Sequence, residues 1–349
     1  MLISGRREQG FEALTRNGGR HAEKLHAPRR ARDYLRRMSS STTAASSPGR
    51  SPYLVLAASL IGISFAAPLI RLSSADPLVI ATWRLGFSLI IVAIALLVGG
   101  GWRSWRTLSR DDLLLATGAG ILLALHFWSW NTSLRYTSVA ASVALVNLQP
   151  VLIAAASGLW LHEPPSRRQW FWIMVAVIGA LIVGLADVPG GLAAVGPALL
   201  GTGAEGTRAL LGDGLALLGA ITAAGYYLIG RRLRQHLALW PYVGLVYGAA
   251  FGACLVLCLL TGAALTPQPP RELAIFAGLA LGPMLLGHTG MNWALAHLPA
   301  FVVNLTVLGE PVGATILAAL LPGIAEVPGP ATIVGGALVL SGAILASRR

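Results

Sequence analysis

The chain has 349 residues, of which 55% are hydrophobic and 11% are charged. A soluble domain usually carries about 25% charged residues, so the composition excludes an ordinary cytosolic enzyme. Residues 1–50 hold 11 of the 26 basic and 4 of the 14 acidic residues, which leaves 25 charged residues among the other 299. More than half of the net charge of +12 therefore lies in this amino-terminal segment, and the remainder predicts a lipid-embedded protein. We predict no nucleic-acid partner.

Residues 1–50 are rich in arginine and then in serine, threonine and alanine. They hold too few apolar residues for a core, so we predict a disordered basic tail. The tail lacks the apolar segment of a secretory signal, and its four acidic residues weigh against an organellar transit peptide. An alternative is that translation starts at Met38, in which case residues 1–37 lie upstream of the true start.

Long apolar runs alternate with short polar breaks from Tyr53 onward. A bilayer core of roughly 30 Å needs about 20 apolar residues per helical crossing. The runs predict ten membrane-crossing helices in two sets of five, separated by a linker at 187–212 that is rich in glycine, alanine and proline. The predicted helices lie near residues 53–71, 78–98, 113–134, 138–160 and 169–186, and near 213–230, 241–261, 272–296, 300–321 and 328–346.

The distribution of basic residues predicts the orientation, because cytoplasmic loops retain lysine and arginine. With the amino terminus inside, the inner segments hold 21 basic residues and the outer segments hold four. The ratio is still 10 to 4 without the tail, so the two possible start sites give the same orientation. We predict that both termini face the cytoplasm.

The two sets of helices align with each other. A shift of 161 residues superposes Asn131 on Asn292 and Pro150 on Pro311, and a further two-residue gap superposes Gly179 on Gly342. Because five is odd, two equivalent five-helix sets in one chain run in opposite directions through the membrane. The predicted fold class is therefore an all-α membrane protein with ten transmembrane helices in two inverted five-helix repeats, as in many secondary transporters.

Short motifs recur in the two sets: Asn-Leu-Gln-Pro at 147–150, Leu-His-Glu-Pro-Pro at 161–165 and Leu-Gly-Glu-Pro at 308–311. With the ten-helix order, they resemble the EamA family of the drug/metabolite transporter superfamily. The resemblance covers residues 53–347 and implies one repeat at 53–186 and a second at 213–347. It also implies carriage of small metabolites or drugs across the bacterial inner membrane, often outward, by alternating access. The basic tail and the 26-residue linker depart from the family pattern.

Glu310 is the strongest candidate for a functional side chain. It lies ten residues into the helix that begins near Ala300, which is a depth of about 15 Å at a rise of about 1.5 Å per residue. An ionisable group at the membrane midplane is a functional hypothesis by default. Pro311 lacks an N–H and is expected to free a carbonyl near Val307. The alternative is a protonated or hydrogen-bonded acid that stabilises helix packing.

Gln149, followed by Pro150, occupies the equivalent place in the first repeat, so the centre pairs one acid with one amide. Asn147 and Asn304 add amides that either bind polar edges of a substrate or bridge helices. Arg84 lies about six residues into its helix, roughly 9 Å deep. It either holds a substrate carboxylate or Glu310, or extends its guanidinium to the membrane surface.

Histidine and aromatic side chains complete the candidate set. His126 and His288 are mid-membrane histidines that suit proton relay, with hydrogen-bonded packing as the alternative. Trp128, Tyr226, Tyr227 and Phe65 lie deep enough to line a cavity, with core packing as the alternative. Gly248-x-x-x-Gly252 and Gly278-x-x-x-Gly282 predict close approach between helices.

These features predict a secondary transporter, an exporter, with proton exchange at Glu310. The partners are a small-molecule substrate and the lipid bilayer, in a monomer or homodimer. No nucleotide-binding loop, cofactor or metal site is predicted. The alternatives are an intramembrane lipid-modifying enzyme, which needs acids or histidines clustered near one membrane face, and a non-transporting membrane sensor, which the basic tail would dock on anionic lipid.

Overall fold

The computed structural model describes residues 50–133, 135–136, 142, 145–186, 204–310, 312–313, 316–317 and 329–348. These residues form helices and connecting turns, with no strand among them. The predicted tail to residue 49, residues 187–203 of the predicted linker, and Pro311 lie outside the described residues.

Six α-helices belong to the first half of the chain. The α3 helix begins as its sequence predicts, because Asp76 accepts a hydrogen bond from the Leu78 amide at 2.9 Å and proline occupies the first turn. A break at Phe65 divides the first predicted helix, and a 3-10 helix at Gly101–Thr107 follows α3. The helices are α1 (Arg50–Ser64), α2 (Ala66–Leu72), α3 (Pro77–Val98), α4 (Arg110–Ser133), α5 (Gln149–Ala156, extended by a π-helical turn at Ser157–Leu161) and α6 (Arg167–Ala186).

Six further helices follow. They are α7 (Ala204–Leu233), α8 (Leu239–Thr261), α9 (Pro270–Leu279), α10 (Gly290–Ala294), α11 (Ala300–Asn304) and α12 (Pro330–Ser347). A π-helical segment at Ala280–Thr289 joins α9 to α10, and a 3-10 turn at Val307–Gly309 follows α11. The predicted linker at 187–212 is wrong over its last nine residues, because α7 already begins at Ala204. The apolar run at 209–211 is continuous with this helix and belongs to it.

Six segments of the described residues are long and apolar enough to cross a membrane. They are Ser51–Ile70, Pro77–Val98, Arg110–Ser133, Leu210–Leu233, Leu239–Thr261 and Pro270–Ala294. Shorter apolar helices at Gln149–Leu161, Ala300–Gly309 and Ile333–Ser347 fall where the fourth, ninth and last crossings are predicted. The all-helical class is thus confirmed for the described residues, with six segments suited to crossing a membrane, whereas ten complete crossings stay a prediction.

The two halves of the chain pack into each other. The α1 helix lies against the π-helical segment and α10, and the equivalent α7 lies against α4. Three pairs of equivalent helices also meet, namely α3 with α8, α5 with α11 and α6 with α12. When each helix is replaced by its equivalent in the other half, these contacts map onto one another or onto themselves. This packing is expected of two repeats related by a two-fold axis.

Close helix approach occurs at glycines other than the predicted pair in α8. A Cβ built on Gly120 of α4 would lie 2.5 Å from the Val246 carbonyl oxygen of α8, so only glycine fits there. Nothing lies within 4 Å of a Cβ built on Gly248 or Gly252. The prediction that these two glycines form a packing interface is therefore wrong for the described residues, since spacing alone does not indicate which face of the helix is covered.

Candidate functional site

Arg84 lies in the protein interior, between the two halves of the chain. Only 2% of its surface is exposed. Its Cζ atom is 4.1 Å from the centre of the Phe127 ring on α4, and its Nη2 atom is 3.6 Å from Met284 Sδ in the π-helical segment. The guanidinium is therefore covered by protein, and the alternative that it extends to the membrane surface is wrong.

The positive charge of Arg84 has no close counter-ion in the part of the chain that the structure describes. No carboxylate oxygen of a described residue lies within 4 Å of the guanidinium, and its Nε atom has no hydrogen-bond partner among those residues. Methionine sulfur is a weak acceptor, and a ring face attracts a cation by about 2 kcal/mol when desolvated. An uncompensated buried charge is strongly destabilising, so Arg84 is a functional candidate.

Glu310 acts on Arg84 electrostatically from beyond ion-pair distance. It is partly buried and directly follows the 3-10 turn after α11. Its backbone N–H donates to the Val307 carbonyl. The prediction that this carbonyl is free is therefore wrong, because the chain tightens into a 3-10 turn before Pro311, which itself lies outside the described residues.

Two histidines lie within electrostatic range of Arg84. His126 Nδ1 is 2.9 Å from the Gly219 carbonyl oxygen of α7. A carbonyl only accepts, so Nδ1 is the donor in this hydrogen bond. His288 Nδ1 is 3.4 Å from the Tyr227 hydroxyl, and its ring lies edge-on to Phe127 with the two ring centres 5.6 Å apart.

Tyr226 belongs to a hydrogen-bonded network beside this group. Asn292 Nδ2 donates to the Tyr226 hydroxyl at 2.6 Å and to the Tyr247 hydroxyl at 3.4 Å. Tyr247 in turn shares a 2.9 Å hydrogen bond with the Thr289 hydroxyl. All four side chains are buried. The network fixes Tyr226 in place and links α7, α8 and α10.

The three candidate amides lie where two helices are interrupted. Asn147 and Leu148 form a turn before α5, which begins at Gln149 with Pro150 in its first turn, and Asn304 ends α11. The α5 and α11 helices contact each other, and none of the three amides is more than 3% exposed. Gln149 Oε1 and both amide atoms of Asn304 lack a hydrogen-bond partner among the described residues. Buried amides of this kind call for a partner.

Trp128 lies in a different environment. It packs on a small cluster that includes Leu78, Cys258 and Phe276, whereas Phe127 and Met284 belong to the main core. The structure therefore places His126 and Glu310 within electrostatic range of Arg84, and it links Tyr226 to His288 through its neighbour Tyr227. It does not bring Trp128 to them.

The comparisons with known proteins agree with this architecture. The family model described as "EamA-like transporter family" matches residues 51–185 and 210–348, a separate match for each half. The chain belongs to the EamA-like transporter family. This family is part of the drug/metabolite transporter superfamily. The predicted family is therefore confirmed.

Solved structures share the fold of this EamA protein. Twenty-nine chains match it, among them one described only as "Crystal structure of protein". That match has a TM-score of 0.70 and 16% sequence identity, and it covers 85% of this chain and 96% of the other. At this identity the likeness shows the fold alone. No curated protein matches the chain.

Sequence reasoning missed Phe127 and Met284 as contacts of the EamA protein's central arginine. Both are ordinary apolar residues in apolar helices, and no pattern separates them from core residues. Tyr247 and Thr289 were also missed, although a signal exists, since each is a polar residue within a predicted crossing helix.

Proposed function

We propose that this chain is a secondary transporter that exports a small organic metabolite or drug across the bacterial inner membrane, with both termini in the cytoplasm. The observation that carries the proposal is the Arg84 guanidinium, which is buried between the two halves of a protein from a transporter family and has no ion-pair partner among the described residues. A charged group at this depth is expensive unless it faces a partner or a ligand.

Alternating access is the proposed mechanism, with the two repeats rocking about the region between them. Helices that are interrupted near the membrane centre are a feature of transporter binding sites. The interrupted α5 and α11 helices contact each other, and they carry Gln149 Oε1 and the Asn304 amide, which find no hydrogen-bond partner within the described ranges. Their place at the boundary of the repeats supports a polar site that both halves share.

Two ion pairs and one histidine–aspartate contact support the proposed order of crossings. Each joins segments that the predicted topology places on the same side of the membrane, whichever side is cytoplasmic. Arg135 and Asp76 meet at 3.3 Å on the predicted outer side. His236 with Asp112 at 3.2 Å and Arg231 with Glu163 at 2.5 Å meet on the predicted inner side.

The inner ion pair is also a candidate gate. Arg231 Nη2 contacts Glu163 beyond α5, and its Nη1 donates to the Leu295 carbonyl beyond α10 at 2.6 Å. On the predicted outer side, Glu272 accepts hydrogen bonds from the Ser73 hydroxyl at 2.5 Å and the Ser74 amide at 2.9 Å. We propose that the Arg231 contacts break when the carrier opens to the inner side and that the Glu272 contacts break when it opens to the outer side.

Proton coupling is assigned to Glu310, because it is the described carboxylate that acts on Arg84. A thermal-shift screen of purified protein against amino acids, nucleobases, sugars, organic acids and cationic drugs first identifies a ligand. Flux of that ligand is then measured in reconstituted vesicles at several external pH values. Glu310→Gln should lower the rate and remove its pH dependence. Wild-type rate and pH dependence in this variant would make the carboxylate structural, and binding without flux in the wild type would favour a sensor.

A further inference from the structure

We propose that Arg84 binds the carboxylate of an organic anion, so that the transported substrate is a carboxylic acid in its ionised form. This inference rests on the proposed transport function and names the substrate class of the same site. It is carried by the contacts of the guanidinium, which leave its hydrogen-bonding capacity largely unused.

The free donors of Arg84 are the first argument. A guanidinium presents five N–H donors in a planar fork that matches the two oxygens of a carboxylate. The described contacts engage Nη2 with a sulfur atom at 3.6 Å and leave Nε without a partner. At 2% exposure these donors are not available to bulk solvent, so a ligand is the partner that would satisfy them.

The surroundings of the guanidinium are the second argument. Phe127 and Met284 are 1% and 0% exposed. The Phe127 ring, whose centre lies 4.1 Å from the Arg84 Cζ atom, attracts the guanidinium and restricts its movement before a ligand binds. In such low-dielectric surroundings a charge-assisted hydrogen bond is stronger than in water. The apolar side chains also suit a small carboxylic acid whose remaining surface is hydrocarbon or aromatic.

The asymmetry of the repeats is the third argument. The shift of 161 residues places Leu245 opposite Arg84 and His288 opposite Phe127. The arginine therefore occurs at this position in the first repeat only. We expect the site to bind one carboxylate group of the ligand. His288 lies edge-on to Phe127, and its Nδ1 is 3.4 Å from the Tyr227 hydroxyl, so these two side chains offer hydrogen-bonding groups for polar atoms farther along the ligand.

The test compares ligands of the same shape and different charge. Binding to purified full-length protein is measured by calorimetry for acetate, butyrate, benzoate and hydrocinnamate, for their neutral amides, and for benzylammonium. At least one carboxylate should bind at least tenfold more tightly than its amide, and benzylammonium should not compete with it. Equal affinity for acid and amide, binding of the cation alone, or no binding of any carboxylate would overturn the proposal.

Variants then locate the binding site. Arg84→Gln should weaken carboxylate binding at least tenfold and remove the preference over the amide. Arg84→Lys keeps the charge without the planar fork, and it should weaken binding while retaining the preference. Arg135→Gln is the matched control, because it removes the same charge from an exposed position and should leave binding unchanged. An unchanged affinity in a folded Arg84 variant would contradict the proposal.

Two further outcomes separate this inference from the transport function. If size-exclusion chromatography shows that Arg84→Gln does not fold, two measurements still test carboxylate binding. They are the affinity of Arg84→Lys and the ratio of the wild-type affinities for a carboxylate and its amide. Carboxylate binding that depends on Arg84 without flux in vesicles would refute transport and leave the anion site standing. Flux of a ligand whose binding does not depend on its charge would refute the anion site and leave transport standing.

Discussion

Gly179 on α6 and Gly342 on α12 make the same contact, each with the backbone of the other's helix. A Cβ built on Gly179 would lie 2.6 Å from the Val339 nitrogen and 2.7 Å from the Gly335 oxygen. A Cβ built on Gly342 would lie 2.6 Å from the Ala176 nitrogen and 2.8 Å from the Trp172 oxygen. The same offset of 163 residues relates each atom in one contact to its counterpart in the other.

This reciprocity fixes the relative direction of the two helices. Gly342 lies beside Trp172 and Ala176, near the start of α6, whereas Gly179, later in α6, lies beside the earlier residues of α12. The helices are therefore antiparallel. Equivalent antiparallel helices are what an inverted repeat requires, so the contact supports the proposed topology.

Alanine at either glycine should destabilise the protein. The added Cβ would overlap backbone atoms that cannot move without shifting a whole helix, and overpacking of this kind costs about 1–3 kcal/mol. Gly179→Ala and Gly342→Ala should lower the thermal unfolding midpoint in detergent by similar amounts. Gly252→Ala is the control, because nothing lies within 4 Å of its Cβ and the helix gains a better helix former. A midpoint equal to that of the control would contradict the close contact.

The ion pair between Arg231 and Glu163 should make a measurable contribution to stability. The side chains are 12% and 28% exposed, so solvent screens this pair less than an exposed one. A double-mutant cycle with Arg231→Gln and Glu163→Gln should give a coupling free energy of about 1 kcal/mol. The same cycle on Arg135 and Asp76, which are 53% and 41% exposed, should give a coupling near zero. Equal couplings in the two cycles would refute a special role for the inner pair.

The two equivalent asparagines should respond differently to substitution. Asn292 donates to two tyrosine hydroxyls, whereas neither amide atom of Asn131 has a partner among the described residues. Asn292→Leu removes the amide that donates to the buried Tyr226 and Tyr247 hydroxyls, and it should destabilise the protein by about 1–3 kcal/mol. Asn131→Leu removes an unsatisfied amide and should be neutral or stabilising. Thermal unfolding of both variants checks this, and a larger loss in Asn131→Leu would contradict the network.

Removal of residues 1–37 should leave ligand binding and flux unchanged. The residues proposed for the binding site, including Arg84 and Glu310, all lie beyond Arg50, and the shortened chain begins at Met38. Flux in vesicles is compared for the full chain and the shortened one at equal protein density. A loss of flux with unchanged binding would assign the tail a part in transport.

The sequence predicted the helical class, the family and the position of most helices, because twenty-residue apolar runs leave a lipid-embedded chain few alternatives. It misplaced helix ends where the apolar pattern is ambiguous. The start of α7 is an example. The helix begins at Ala204, within the glycine-rich segment that the sequence predicts to be a linker as far as residue 212. The interruption at Phe65 was also missed, because Phe65 is itself apolar.

The candidate site was predictable only in part. Arg84 and Glu310 are recognisable because ionisable residues are rare inside apolar runs. Their relation to each other and to Phe127 depends on which helices pack together, and one sequence does not specify those contacts. Depth along a helix was likewise insufficient for Trp128, which lies at a suitable depth but packs on a separate cluster.

The most direct test of the whole account is the sidedness of two equivalent corners of the repeats. Single cysteines at Arg135 and at His297, both exposed, are introduced after replacing the buried Cys254 and Cys258 with alanine. Their labelling by a membrane-impermeant maleimide is compared in intact cells and in inverted vesicles. Position 135 should react from outside the cell and position 297 from the cytoplasm. Reaction of both positions from the same compartment would contradict this prediction.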